Sequence, residues 1–299
     1  MIGIQRSGPP GSALVTGASG MLGSRLVEML IGNGWKVAAY IQPGSDESDI
    51  AAAGAEIHRG DITDAAALRN AAEGCRAIFH AAALVPGSGA SEQEFHRVNV
   101  DGTRNVLNVA AEISAQRVVH VSTVNTIAGQ PGAVVDESAG PPADVHRGYD
   151  ASKIAGEQLA LEYAAKRLDV VVVNPAVMFG PRSRYSARII NLFLRGRMPI
   201  LPAPSRQMSF AFVDDAAVAC LLAMANGERG QRYIVASPPV SLGEFVGTLA
   251  EVSGRRGPRI SLPSGLIALG VDALRLASPV TRWIPCDALD PPRDRERDS

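Results

Sequence analysis

Lysine is almost missing from this chain: 26 of its 29 basic residues are Arg, and only Lys36, Lys153 and Lys166 depart from that habit. A Lys is therefore a marked choice wherever it stands. No excess of charge of either sign exists, because 30 acidic residues leave a net charge of −1. That balance removes the electrostatic reason to expect nucleic acid or an anionic membrane as the main partner. Cysteine is scarce too: Cys75, Cys220 and Cys286 are odd in number and lack the close spacing of metal sites or disulfide frameworks. They read as reduced thiols, and no metal site is expected. No segment reaches the ~18 consecutive apolar residues of a membrane span, and Met1 to Ser12 carry one Arg and no apolar core of signal-peptide length. The expectation is a cytoplasmic protein with no membrane span.

What is present is 299 residues, 46% of them hydrophobic, enough for one large α/β domain with a smaller lobe attached. Short apolar runs alternate with Ala-rich segments whose apolar positions recur at three and four, the pattern of repeated βα units. The spacing predicts strands at Ala13–Thr16, Lys36–Ile41, Ala55–Arg59, Ala77–Ala81, Arg117–Ser122, Asp169–Asn174 and Arg232–Ala236. It predicts helices at Gly23–Gly32, Asp64–Ala72, Glu92–Ala115, Asp150–Arg167 and Asp214–Asn226. The expected fold is α/β, a doubly wound parallel sheet built from residues 12–179 and 212–240. Residues 180–211 and 241–286, broken by Gly, Pro and Arg, form a small, mainly C-terminal lobe for substrate, and 1–11 and 287–299 are flexible tails.

The first strand runs into Thr16-Gly17-Ala18-Ser19-Gly20-Met21-Leu22-Gly23 and then a helix, the context a dinucleotide-binding loop requires. Gly17 permits the tight turn, Gly20 the approach of a pyrophosphate to the backbone, and Gly23 the close packing of helix on strand. Free N–H groups around Ser19, Met21 and Leu22 face the anion. The second strand ends at Gln42, where an acid would mark NAD and an Arg NADP, so NAD or NADP remains open. Asp61, before Ile62, suits an adenine amino group or a helix cap. Ala81, Ala82 and Ala83 leave room for a flat ring or ribose, and His80 reads as structural. The most specific pair is Tyr149 and Lys153: four apart on a helix they share a face, and an ammonium beside a phenol is expected to lower its pKa toward neutrality for proton exchange with an alcohol or carbonyl. Thr123 brings a hydroxyl to the same sheet edge; Ser122 or Thr126 offers the same group.

These residues together resemble the extended short-chain dehydrogenase/reductase superfamily, specifically its NAD(P)-dependent epimerase/dehydratase branch, over roughly Ala13 to Pro263. Asn174-Pro175-Ala176-Val177-Met178-Phe179-Gly180-Pro181 is similar to the dihydroflavonol reductase, 3β-hydroxysteroid dehydrogenase and hopanoid-associated epimerase group. The resemblance implies a Rossmann domain, Tyr149 as acid/base, Lys153 as its activator and ribose ligand, and Thr123 where relatives usually carry Ser. It also implies that Pro175 and Val177 line the nicotinamide site, that Ser122 joins the cofactor wall and that Asn99 supports it.

The implied activity is hydride transfer between NAD(P) and a carbonyl or secondary alcohol of a small, hydrophobic substrate. A nucleotide-sugar epimerase that uses its cofactor transiently is the alternative, and a non-catalytic nucleotide sensor a third. Arg182, Arg184, Arg188, Arg195, Arg197 and Arg206 suit either an anionic substrate group or solvent, Leu266–Leu276 reads as a helix closing the lobe, and the resemblance implies a homodimer through the helices Glu92–Ala115 and Asp150–Arg167.

Overall fold

A computed structural model describes residues 11–128, 134–145, 147–183 and 186–262, the side chains of 186–188 excepted. Cys286, Arg184, the side chain of Arg188, the Leu266–Leu276 stretch and nearly all of both tails lie outside the described residues. Seven strands form one sheet: β1 (Ser12–Thr16), β2 (Lys36–Ile41), β3 (Glu56–Arg59), β4 (Ala77–His80), β5 (Arg117–Val121), β6 (Val170–Pro175) and β7 (Arg232–Val235), in the order β7-β6-β5-β4-β1-β2-β3. Every neighbouring pair is parallel. The seven strand expectations therefore fall on seven strands of one sheet, with ends displaced by a residue.

The pattern has a direct cause. Val170, Val171, Val172 and Val173 are all fully buried, as a strand covered on both faces requires, and β-branched side chains suit the pleat. Side chains alternate between two cores. Ala13 and Val15 of β1 pack with α1 (Met21–Gly32) and α8 (Val213–Asn226), while Leu14 packs on the opposite face with α3 (Ala65–Ala71), α5 (Gly102–Glu112) and α6 (Gly148–Ala165). The chain winds outward from β1 to β2 and β3, and in the other direction from β4 to β5 and β6. The carboxyl ends of β1 and β4 are thus the point where a crevice opens in such sheets.

The helix expected over Glu92–Ala115 is not continuous. It is α4 (Glu92–His96), a π-turn at Arg97–Asp101 and then α5. The π-turn buries Asn99, and Gly156 of α6 lies so close that a Cβ there would sit 2.8 Å from the Asn99 carbonyl oxygen. The change in winding lies where α6 packs closely, a feature that periodicity does not reveal. A short α2 (Ser48–Ala52) was not expected.

The described residues divide into two compact units. One runs to Ser183 and resumes over Ala211–Ala236; the other takes those up to Phe210 and from Ser237 onward. The second unit contains α7 (Ser186–Leu194) and α9 (Leu242–Ser253) around Phe193, Leu201 and Val246. Ser241 and Glu244 form a capping box at the start of α9.

Candidate active site

The loop after β1 is shaped for an anion. Gly17 has φ +67°, and a Cβ there would lie 2.7 Å from the Ala82 Cα, so the β1 loop and the loop after β4 touch backbone to backbone. A Cβ at Gly23 would collide with the Gly17 carbonyl oxygen. α1 begins at Gly20 with no side-chain cap and no acid in its first turn, leaving the first N–H groups free to take a phosphate. Ser19 and Met21 stand beside that opening, whereas Leu22 turns into the core. Glycines that no side chain could replace, around uncapped donors, fit a dinucleotide pyrophosphate.

Around this loop the expected residues fall in different places. Gln42 is exposed at the end of β2, and Ala81, Ala82 and Ala83 are half-buried after β4. Asp61 accepts from the Thr63 backbone N–H at 2.9 Å and from Arg97 at 3.2 Å, and these donors hold its carboxyl below the usual range. The cap of α3 is Asp64, which accepts from Ala66 and Ala67. Ile62 sends its side chain into the core, and its carbonyl accepts from Asn105. Pro175 is buried at the end of β6, and Val177 is half-buried just beyond it.

Asn99 is fully engaged with the protein. Its oxygen accepts from Leu84 N at 2.8 Å, and its amide donates to Leu84 O at 3.1 Å and Ser152 Oγ at 2.9 Å. Ser152 in turn donates to the Tyr149 carbonyl. Asn99 therefore fastens the Ala81–Leu84 loop to the helix of the Tyr/Lys pair. A parallel chain runs through His80. Thr103 donates to Asn99 O, so it must accept from His80 Nε2–H at 3.0 Å, and Nδ1 then accepts from Thr16 at 2.8 Å. Burial, helped by the charge of Lys153, pushes the His80 pKa down to about 3, which keeps this single tautomer neutral.

Tyr149 and Lys153 share one face of α6, but not with the expected electrostatics. Lys153 Nζ donates to Val121 O at 2.8 Å, and burial lowers its pKa to about 8. Tyr149 is held above its ordinary value by burial and then by the Asp150 charge, with a Thr123 side-chain hydrogen bond opposing. The expected depression of the phenol by Lys153 is thus overturned: desolvation dominates, and the ammonium points to a backbone carbonyl. Thr123 accepts from Asn125 N, which leaves its own proton for the Tyr149 oxygen. Ser122 Oγ is buried without a hydrogen-bond partner, and Thr126 is buried against Glu157.

Sequence reasoning missed Phe95, whose ring lies edge-on to Tyr149 at 6.1 Å, and Asn125, which donates to Asp150 at 2.8 Å. It also missed Glu157, although an acid four residues after Lys153 was a readable signal. Of the six candidate anion-binding arginines, Arg182 pairs with Asp49.

Comparison with known proteins matches residues 13–236 to the NAD dependent epimerase/dehydratase family. Sterol demethylase protein B of Methylococcus capsulatus is 34% identical over 260 residues, covering 86% of this chain and 79% of that protein. The 4-hydroxy-2-methyl-3-oxo-4-farnesyl-3,4-dihydroquinoline-1-oxide ketoreductase of Stigmatella aurantiaca is 33% identical, covering 83% and 75%. The structure of a dTDP-glucose 4,6-dehydratase variant from Streptomyces venezuelae with NAD bound superposes with a TM-score of 0.74 at 25% identity, over 85% of each chain.

Proposed function

The chain belongs to the NAD dependent epimerase/dehydratase family and is an NAD(P)-dependent enzyme, and from that premise we propose that it interconverts a carbonyl and a secondary alcohol on a small hydrophobic substrate. Tyr149 is the acid/base. The observation that carries this reading is the placement of a phenol at the carboxyl edge of the sheet, hydrogen-bonded by Thr123 and on one face of α6 with Lys153. A phenol holds its proton at neutral pH and can give it to a carbonyl oxygen, the role carbonyl reduction needs. When bound, the nicotinamide supplies or accepts the hydride. Tyr149 gives its proton to the oxygen that becomes the alcohol, Thr123 aligns that oxygen, and Lys153, one helical turn on and held on the Val121 carbonyl, is the nearby cation on the same face of α6. Gly17, Ser19, Gly20 and Met21 hold the pyrophosphate, and Ala81–Ala83, Pro175 and Val177 the nucleoside and nicotinamide walls. A hydrophobic substrate is supported by two relatives' names, one a sterol demethylase protein, the other a ketoreductase named for a farnesylated 3-oxo compound.

The test incubates the purified protein with NADH or NADPH and a panel of polycyclic and long-chain ketones, following absorbance at 340 nm. The expected result is one reduced nucleotide consumed per alcohol formed, with reversible nucleotide binding. Conversion of a nucleotide sugar on tightly retained nucleotide, with no net NAD(P)H consumption, would replace this reading by the epimerase.

A further inference from the structure

We propose that Glu157 is a positioning residue for this site, fixing the turn that presents Thr123 and supplying the negative charge against which buried Lys153 carries its positive one. The inference rests on the catalytic reading of Tyr149, Lys153 and Thr123. Glu157 is only 3% exposed. Three donors meet its carboxylate: Thr126 Oγ1 lies 2.6 Å and Asn174 Nδ2 2.7 Å from Oε2, and Arg232 Nη1 lies 3.3 Å from Oε1. Asn174 also donates to Thr123 O at 3.1 Å, and Thr126 Oγ1 sits 2.8 Å from the same oxygen. One carboxylate thus joins α6, β6, β7 and the turn at Val124–Thr126; with the single Thr126 proton on Glu157, the two protons of the Asn174 amide tie the carboxylate to the carbonyl of Thr123. Arg232 is itself held by the carbonyls of Glu137 and Ala139, so the anchor does not swing.

Glu157 stands one helical turn after Lys153, which is 5% exposed. Burial penalises the ammonium, and the charge of Glu157 is the opposing influence. From β4 and β5 the ionisable neighbours are His80 and His120, both neutral because burial depresses them. Tyr149 and Asp150 lie on α6 itself, Arg232 lies beyond Glu157, and the described residues of β6 and the Thr123 turn that face this cluster, Asn174, Thr123 and Thr126, do not ionise.

Scarcity of lysine makes the test direct. Protein labelled with [13Cε]lysine gives three side-chain signals, one for each lysine; Lys36 and Lys166 are exposed, and Lys153→Met identifies the third. The midpoint of Lys153 is read by NMR against pH, without substrate or nucleotide, in wild type, E157Q, E157D and Arg232→Gln. The expected midpoint is near 8 in wild type, lower by about one pH unit in E157Q, a tenfold lower ratio of ammonium to amine at fixed pH, nearly restored in E157D, and raised in Arg232→Gln. A merely structural role would loosen packing, hydrate Lys153 and raise the midpoint in E157Q as well. An unchanged or raised E157Q midpoint overturns the proposal; if E157Q does not fold, an Arg232→Gln midpoint that stays put or falls does so. Wild-type turnover in Lys153→Met would instead sink the catalytic reading and leave the titration to judge Glu157 alone.

Discussion

At the scale of single residues, Gly17 shows how little freedom the cofactor loop has. Its left-handed φ and the 2.7 Å approach of a hypothetical Cβ to Ala82 leave Ala with both strain and a backbone collision. Gly17→Ala is expected to weaken NAD(P)H binding at least tenfold in a fluorescence titration, with the far-ultraviolet circular dichroism unchanged. His120 makes the opposite case. Both its ring nitrogens are buried without a hydrogen-bond partner among the described residues, so His120→Leu should raise the urea midpoint at pH 7 by an amount equivalent to about 1–2 kcal/mol; a lower midpoint would mean that the ring is satisfied. The residue types at Tyr149, Lys153 and Thr123 were legible because their chemistry is written in identity and spacing. The electrostatics were not. A phenol's pKa depends on what surrounds it in space, and neither the burial of Tyr149 nor the turn of Lys153 toward Val121 O has a signature in the local sequence.

Between residue and fold, the elements that carry the site are fastened at one edge of the sheet and braced at the other. Gly156 admits the π-turn against α6, and Asn99 uses that turn to bind the loop after β4. Gly156→Val should push α6 off Asn99 and cost about 1–3 kcal/mol, with turnover falling more than nucleotide affinity; equal losses in both would show a global effect instead. At the other edge Arg117 grips Asp169 through two hydrogen bonds, at 3.1 and 3.0 Å, and donates to the Ala223 and Met224 carbonyls at the end of α8. Arg117→Met is expected to cost about 2–3 kcal/mol in thermal or urea unfolding while leaving the nucleotide affinity of the surviving fold unchanged. The central strands were readable because a strand buried on both faces writes an unbroken apolar run, as Val170–Val173 does. The π-turn was not, since the α6 residue packed against it, Gly156, lies more than fifty residues away in the chain.

Across the whole molecule, the reversal of winding between β1 and β4 gathers the phosphate loop, the small residues after β4, Thr123 and Tyr149 at one crevice. The same burial that shapes this site makes the fold sensitive to acid. His80 has a pKa of about 3 in the fold against 6.5 for an ordinary histidine, and His120 is displaced in the same direction. Between pH 6.5 and 3 the unfolded chain therefore takes up protons that the folded one refuses. The His80 contribution is whole above that window and is lost as pH drops through it, by roughly 1.4 kcal/mol per pH unit, and His120 acts in the same direction. Urea unfolding from pH 7 to 4.5 should show this fall, and His120→Leu should lessen it.

The central claim, that this crevice binds NAD(P) and Tyr149 supplies the proton, is tested most directly by Tyr149→Phe. The change removes one oxygen from a half-buried ring. Nucleotide affinity and ketone turnover should be measured together in wild type and variant, in the same buffer and with whichever of NADH and NADPH binds more tightly. The expected result is an unchanged Kd for the nucleotide and turnover lower by about 10²–10⁴-fold; turnover within a few-fold of wild type would contradict the account.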